Sequence, residues 1–358
     1  MAKFGPNTQA SSVAFAGGPV LVEIASSSLP SGAKMGVLKL QVDVDAGDGR
    51  TPYIFSMDAD DGRFVTIDIS SAIRSALTSF VYTTDWMAQG NNLQYPKASY
   101  GLAVWEEYML SGEMYETAKL TYQGTGTAIL GGLSEFDRFS VIATPDQVIS
   151  KLKFFTRKPS GDVCRQGEKV LVSKYADGVV NTSVYSTDGL SGKQSLGGWE
   201  VTVLPASDYL KQFLFVNSLG VMENTSAVMR EALTYGVDSE TYSLNTSPSY
   251  WANASIITQK TAPRGKFQMS SGFVNRDWAD WWTTEFLCSP QHWMLYGKGR
   301  KINPSDGSVS EFDLWIPCAV SSANDSVQIY NRAKQELPHI DFTVELALDG
   351  AARNGLKF

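Results

Sequence analysis

The chain has 358 residues, of which 43% are hydrophobic, 19% charged and 11% aromatic, and its formal net charge is −7. Its length exceeds what one hydrophobic core usually organises, and its apolar content excludes a disordered chain, so we expect two or three folded domains. The acidic balance disfavours nucleic acid as a partner, because phosphate groups repel a protein of this charge.

The pattern of the first residues predicts no export signal. The apolar stretch 13–24 is interrupted by Gly17, Gly18, Pro19 and Glu23, which disfavours the core of a signal peptide. No run of about eighteen uninterrupted apolar residues follows, which is the length that a membrane-spanning helix needs. We therefore predict a protein that is made in the cytoplasm and does not insert into a membrane.

The cysteines suggest packing and not chemistry. Cys164, Cys288 and Cys318 are far apart and form no CxxC pair, so neither a disulfide framework nor a zinc site is indicated. We predict buried, inert thiols.

The amino-terminal part of the chain is typical of short antiparallel strands separated by turn residues. We predict strands at 20–25, 36–44, 53–57 and 64–69. The second of them alternates apolar and polar residues, which predicts a half-buried strand. Ser70 or Ser71 is expected to cap a helix whose apolar stripe is Ala72, Ile73, Ala76, Leu77 and Phe80.

The strand pattern then continues through most of the chain. Further strands are predicted at 100–108, 117–122, 127–130, 148–155, 169–175, 179–185, 199–204, 293–296, 314–320 and 340–348. Residues 213–229 predict a hairpin that turns at Asn217–Gly220, because Asn and Gly tolerate positive φ. Residues 277–287 predict an amphipathic helix.

The predicted fold class is mainly β, with two or three β-sandwich-like units and a few short helices. Turn-rich positions divide the chain into an amino-terminal β-rich domain at 1–145 and a middle β-rich domain at 146–262. A carboxy-terminal β-rich region at 263–358 contains the tryptophan helix and is expected to pack with the middle domain.

The sequence contains no recognised catalytic motif. Only His292 and His339 are present, which excludes a multi-histidine metal centre, and neither can be paired with a nucleophile from the sequence. The chain has no GxSxG motif, and the glycines at 124–126 and 189–193 lack the spacing of nucleotide-binding loops. We predict no catalytic residue, no cofactor and no metal.

Two acidic segments offer an alternative that we weigh against turns. They are Asp43, Asp45 and Asp48, and then Asp58, Asp60 and Asp61, whose carboxylates resemble calcium ligands. Neither has the glycine and closing glutamate of an EF-hand, and Asp-Gly pairs are common in hairpin turns. Turns are the preferred interpretation.

Aromatic and basic side chains are the remaining candidates for binding. Trp278, Trp281 and Trp282 are possible ligand or interface aromatics, although an aromatic stripe at helical spacing more often packs in a core. Several basic residues lie in the carboxy-terminal third of the chain, and solvated loops are the preferred interpretation of their positions. They are Arg264, Lys266, Lys298, Arg300 and Lys301.

The order of these elements resembles tail-associated virion structural proteins of phages that infect gut bacteria. The resemblance covers the second half of the chain: the strand at 213–216 and its turn, the tryptophan helix followed by Leu287-Cys288-Ser289, and the strands at 293–296 and 314–320. It implies a non-enzymatic structural or adhesion component of a tail or similar assembly, located in the virion.

Such a component acts through contacts with further copies of itself or with other virion proteins, and symmetry amplifies weak interfaces. The alternative is a carbohydrate-binding β-sandwich protein that binds a cell-surface glycan through exposed aromatic faces. A glycoside hydrolase is a third hypothesis, and it requires two carboxylates at catalytic separation, one of them with a raised pKa.

Overall fold

The structure is a computed structural model that is mainly β, as the sequence predicts. It describes residues 2–6, 8, 13–26, 29–47, 49–58, 63–77, 84, 87, 93–129, 131, 152–176, 179–229, 234–244, 255–302, 307–322 and 338–346, with the backbone alone at 35, 234–244, 255–265 and 301. The chain forms two compact units: unit 1 contains 1–156, 171–184 and 217–222, and unit 2 contains 157–170, 185–216 and 223–358.

The described amino-terminal part of unit 1 contains two sheets and the helix α1. A seven-stranded sheet has the order β2-β11-β8-β4-β5, with β9 and β10 also paired to β8, and a three-stranded sheet has the order β1-β3-β6. Their bounds are β1 Lys3–Phe4, β2 Val13–Phe15, β3 Leu21–Ala25, β4 Lys34–Asp45, β5 Arg50–Asp58, β6 Phe64–Asp68, α1 Ser70–Leu77, β8 Lys97–Leu110, β9 Glu113–Glu116, β10 Leu120–Thr121 and β11 Gly126–Ile129.

The alternation in β4 positions the core of unit 1. Leu38, Leu40, Val42 and Val44 are all buried, while the polar residues between them stay partly exposed. The buried face packs with α1 and with residues of β3 and β8 in one apolar cluster. The predicted half-buried strand is confirmed.

The start of α1 differs from the prediction. Ser70 is the first helical residue, and the carboxylate of Asp68 accepts the backbone N–H of Ser70 at 2.9 Å. The same oxygen of Asp68 accepts the N–H of Val20 at 3.0 Å, so one side chain caps the helix and anchors β3. A serine cap was wrong because Asp68 is already held at the end of a paired strand; Phe80 lies outside the described residues.

A third sheet has the order β13-β14-β7, in which β7 is Leu93–Gln94, β13 is Lys169–Ala176 and β14 is Val179–Ser186. Within unit 1, Phe15, Tyr95, Phe155, Val180 and Leu219 belong to one apolar cluster. Residues 153–155 form bends and residue 152 has no regular structure, so the described end of the predicted strand at 148–155 is not a strand; 148–151 lie outside the described residues.

The main sheet of unit 2 closes on itself. Its strand order is β18-β17-β21-β22-β23-β20-β19, and β18 also pairs with β20, so six strands form a ring with β19 attached to β20. Their bounds are β17 Leu210–Val216, β18 Met222–Met229, β19 Thr234–Leu244, β20 Ser255–Phe273, β21 His292–Ile302, β22 Val309–Ser322 and β23 His339–Leu346. A smaller sheet has the order β12-β16-β15, with β12 Asp162–Arg165, β15 Gly192–Leu196 and β16 Trp199–Leu204.

The last strand shows the local pattern most clearly. Ile340, Phe342, Val344 and Leu346 of β23 are buried and alternate with partly exposed neighbours. The hairpin β17–β18 also forms where the sequence predicts it, with Gly220 at φ 77°. Both predictions are confirmed.

The tryptophan helix connects β20 to β21. It consists of α2, Arg276–Trp281, followed by a π-helical segment, Trp282–Phe286. The side chain of Asn275 caps α2 by accepting the N–H of Trp278 at 3.0 Å. The helix contributes Trp281, Trp282 and Phe286 to the core of the six-stranded ring.

The proposed domain limits stay predictions. Position 145 lies outside the described residues, and position 262 falls inside β20. The basic residues Arg264, Lys266, Lys298 and Arg300 lie on strands, so their assignment to loops was wrong; these strands are longer than the apolar runs that marked them.

Candidate assembly surfaces

The tryptophan candidates are mainly core residues. Trp281 and Trp282 are buried, and Trp278 is half-buried with its ring centroid 5.2 Å from that of Trp281. Phe286 stands at the centre, in edge contact with Phe213, Phe215 and Trp282. Only Trp278 therefore offers part of its surface to a ligand.

The two histidines occupy different environments. His292 is buried, and its Nε2–H donates to the carbonyl oxygen of Phe286 at 2.7 Å. His339 is partly exposed, with Nε2 3.5 Å from the Asp341 carboxylate. A catalytic dyad would also need a nucleophile, and in the described part of the chain no hydrogen bond joins His339 to one.

Burial lowers the pKa of His292 from its ordinary 6.5, and the hydrogen bond to Phe286 opposes this shift. At this position the unfolded chain therefore binds more protons than the folded chain below pH 6.5. The free energy of unfolding should not depend on His292 above that pH and should fall as the pH drops below it. We expect His292→Gln, whose amide can still donate to Phe286, to flatten this dependence in urea unfolding at pH 7.5, 6.5 and 5.5. His339→Gln is the control, and an unchanged slope in His292→Gln would contradict the assignment.

The cysteines follow the prediction in two of three cases. Cys164 and Cys318 are buried, and burial raises their pKa values to about 11 and about 12. Cys288 is exposed, so the prediction of a buried thiol was wrong there, because the residue follows the end of the helix. Its Sγ still lies 3.2 Å from the Thr283 carbonyl oxygen.

A buried polar cluster that the sequence analysis missed lies in unit 2. The ammonium of Lys158 lies 3.1 Å from Asp162 Oδ2, and these side chains are only 5% and 8% exposed. The same oxygen accepts the indole N–H of Trp199 at 3.0 Å. Burial favours the neutral amine, but the carboxylates of Asp162 and Glu223 outweigh it and raise the pKa of Lys158. The cluster holds a charged pair inside the fold.

Glu168 is the described carboxyl whose pKa is raised by burial, against opposing hydrogen bonds. Its Oε1 accepts the Ser226 hydroxyl at 2.7 Å, and its Oε2 accepts the Arg165 N–H at 3.0 Å. Both carboxyl oxygens thus accept hydrogen bonds from neighbouring residues of the fold, which is more typical of a structural carboxyl than of a general acid.

The acidic segments that were weighed as calcium sites are described only in part. Asp43 and Asp45 lie on β4 and Asp58 on β5, whereas Asp48, Asp60 and Asp61 are outside the described residues. No group of three or more metal-ligating side chains occurs among the residues that the structure describes.

In the described part of the chain, no helix is long and apolar enough to cross a membrane.

Unit 1 contains an open groove of about 600 Å³. Its polar lining includes Asp45, Gln94, Lys97 and Ser99. Tyr95 also borders the groove, but its ring is buried and its hydroxyl oxygen accepts the N–H of Met222 at 2.7 Å. The groove offers hydrogen-bonding groups to a ligand but not the Tyr95 ring face that would stack on a sugar.

Exposed apolar side chains occur on a hairpin of unit 1. Strands β8 and β9 are joined by a tight turn in which Ser111 and Gly112 both have positive φ. Tyr108 and Tyr115 stack across the strands with ring centroids 5.8 Å apart, and Met114 is 60% exposed. An apolar hairpin of this kind is suited to contact with another protein.

A second projection, here called the ribbon, is formed by 297–302 of β21 and 309–314 of β22 in unit 2. Ile302 and Val309 pair at its far end and are 67% and 58% exposed. Phe312 lies over Gly299 on the opposite strand, where an added Cβ would approach the ring to 2.5 Å. The ribbon combines apolar and charged side chains on a narrow surface.

Ion pairs connect the two strands of the ribbon. Lys298 bonds to Asp313, and Arg300 Nε lies 3.1 Å from Glu311 Oε1. Lys169 also contacts Asp313 at 2.6 Å. Burial alone would raise the pKa of Asp313, but these two lysines hold it below its usual value. The sequence analysis missed this hairpin, and a basic run followed by an acidic run is the signal that could have predicted it.

No protein-family profile matches the chain. No curated protein matches it significantly either.

Proposed function

We propose that this protein is a non-enzymatic structural component of an assembly such as a phage tail, and that it acts through contacts between copies. The ribbon supports this proposal best, because a projecting hairpin with an exposed apolar end is costly to leave in water and is stabilised by a partner. The exposed hairpin β8–β9 supplies a second surface of the same kind.

The mainly buried tryptophans favour assembly over glycan recognition. A sugar-binding platform presents aromatic faces to solvent, whereas Trp281 and Trp282 are each 3% exposed. The groove of unit 1 is the feature that favours the alternative, a carbohydrate-binding protein, and it would recognise hydroxyl groups through Asp45, Gln94 and Lys97.

We expect the purified chain to form a defined oligomer whose mass rises to a plateau with concentration. Light scattering coupled to size-exclusion chromatography measures this directly, over about 1 to 200 µM, a range that covers weak symmetric interfaces. A strict monomer throughout would reject self-assembly, and saturable binding of that monomer on a glycan array would support the carbohydrate alternative.

A further inference from the structure

We propose that the ribbon of one copy pairs edge to edge with the ribbon of a second copy, with the basic β21 edge of one against the acidic β22 edge of the other. This inference rests on the proposed function and specifies the surface and the partner through which assembly occurs.

The two strands of the ribbon carry opposite charges. Residues 297–302 contain Lys298, Arg300 and Lys301 and no acidic residue, whereas residues 309–314 contain Glu311 and Asp313 and no basic residue. Placing the β21 edge beside the β22 edge of another copy continues the alternation of basic and acidic strands. Symmetric arrangements, in which β21 pairs with β21 or β22 with β22, would bring like charges together.

The charged groups remain accessible even though they pair within the ribbon. The side chains of Arg300 and Glu311 are 74% and 55% exposed. Each can therefore contact a second partner of opposite charge while keeping the first. Ile302 and Val309 share this face by the two-residue period of a strand, and a neighbouring ribbon would bury them.

Among the strands that the structure describes, none pairs with most of either edge of the ribbon. Strand β17 pairs with β21 only over 292–294, and β23 pairs with β22 only over 318–322. Over the described residues, no other strand pairs with the remainder of either edge. Their N–H and C=O groups can therefore extend the sheet.

The direction of the strands permits this extension. Strand β21 runs out along the ribbon and β22 returns, so a β22 edge beside the next β21 is again antiparallel. Because the two edges differ, the contact is head to tail. Contacts of this type close into a ring or continue as a filament.

Charge reversal at one exposed pair tests the proposal. We expect Arg300→Glu and Glu311→Arg each to weaken self-association about tenfold or more, because each places like charges across the contact. The double variant R300E/E311R should return to within about threefold of the parent, since it restores both sets of pairs. Light scattering over a dilution series gives the dissociation constants, and thermal unfolding checks that each variant folds.

Lys266→Glu is the matched control. It changes the net charge as much as Arg300→Glu does, and it removes an ion pair to Glu345 outside the ribbon. We expect it to leave association unchanged. If it weakened association as much as Arg300→Glu, net repulsion and not the ribbon would be responsible, and the proposal would be overturned.

Mixing the two single variants tests whether opposite charges across the contact are responsible for association. In the mixture, the acidic β22 edge of R300E meets the basic β21 edge of E311R, so we expect association to recover. If the parent assembles but neither reversal matters, or mixing restores nothing, ribbon pairing is wrong while the proposed function stands. A parent that remains monomeric overturns both.

Discussion

Replacing Phe286 with Ala should destabilise unit 2 by about 3–5 kcal/mol, among the largest effects expected for a single core substitution. Phe286 is fully buried and contacts aromatic rings from β17, β23 and the helix itself. Truncation would leave a cavity where these elements meet, and the helix would lose its main attachment to the ring of strands. Urea unfolding followed by tryptophan fluorescence measures the loss.

Phe312→Ala is the matched control, because the same atoms are removed from a ring that is 36% exposed on the ribbon. Its expected cost is below about 1 kcal/mol. If Phe286→Ala also cost less than this, the helix would not be part of the core. Trp281 and Trp282 would then become candidates for ligand binding again.

Lys158→Met should lower the free energy of unfolding by about 3–5 kcal/mol, because it leaves the buried carboxylate of Asp162 without its counter-ion. The double variant K158M/D162N should recover part of the loss, since it removes both charges and keeps an oxygen that can accept the Trp199 N–H. Equilibrium unfolding at pH 7 gives these differences as a double-mutant cycle.

The control for this pair is Lys266→Met. Its ion pair with Glu345 spans 3.6 Å, and the Lys266 side chain is 51% exposed, so the expected cost is about 1 kcal/mol or less. Equal losses at Lys158 and Lys266 would show that the Lys158 pair is solvated, contrary to its burial. A double variant less stable than Lys158→Met would show that Asp162 contributes independently of the lysine.

Local pattern predicted many of the strands, the helix α1 and the tryptophan helix, but neither β19 nor β20. Alternation along β4 and β23 specifies their buried faces, and the Asn217–Gly220 turn specifies the β17–β18 hairpin. These features depend on neighbours within a few residues, which the sequence displays directly. Helical spacing likewise predicted that Trp278, Trp281 and Trp282 would lie on one helix.

The candidate surfaces were less accessible to sequence reasoning. The basic residues of β21 were assigned to solvated loops, although the strand continues through Gly297 and Gly299 to Ile302. The pairing of Arg300 with Glu311 depends on a register that the structure reveals. Asp162 was not linked to Trp199, because 37 positions separate them along the chain.

The sequence by itself determined that the chain is mainly β and which faces of its strands are apolar, because side-chain alternation is a local property of a strand. Only the tertiary structure decided which strands pair. The closure of the ring through β18 and β20 depends on contacts between distant residues, and so does the division into two units that are each built from separate segments of the chain. Many partners satisfy the same local pattern, and packing of the whole core selects among them.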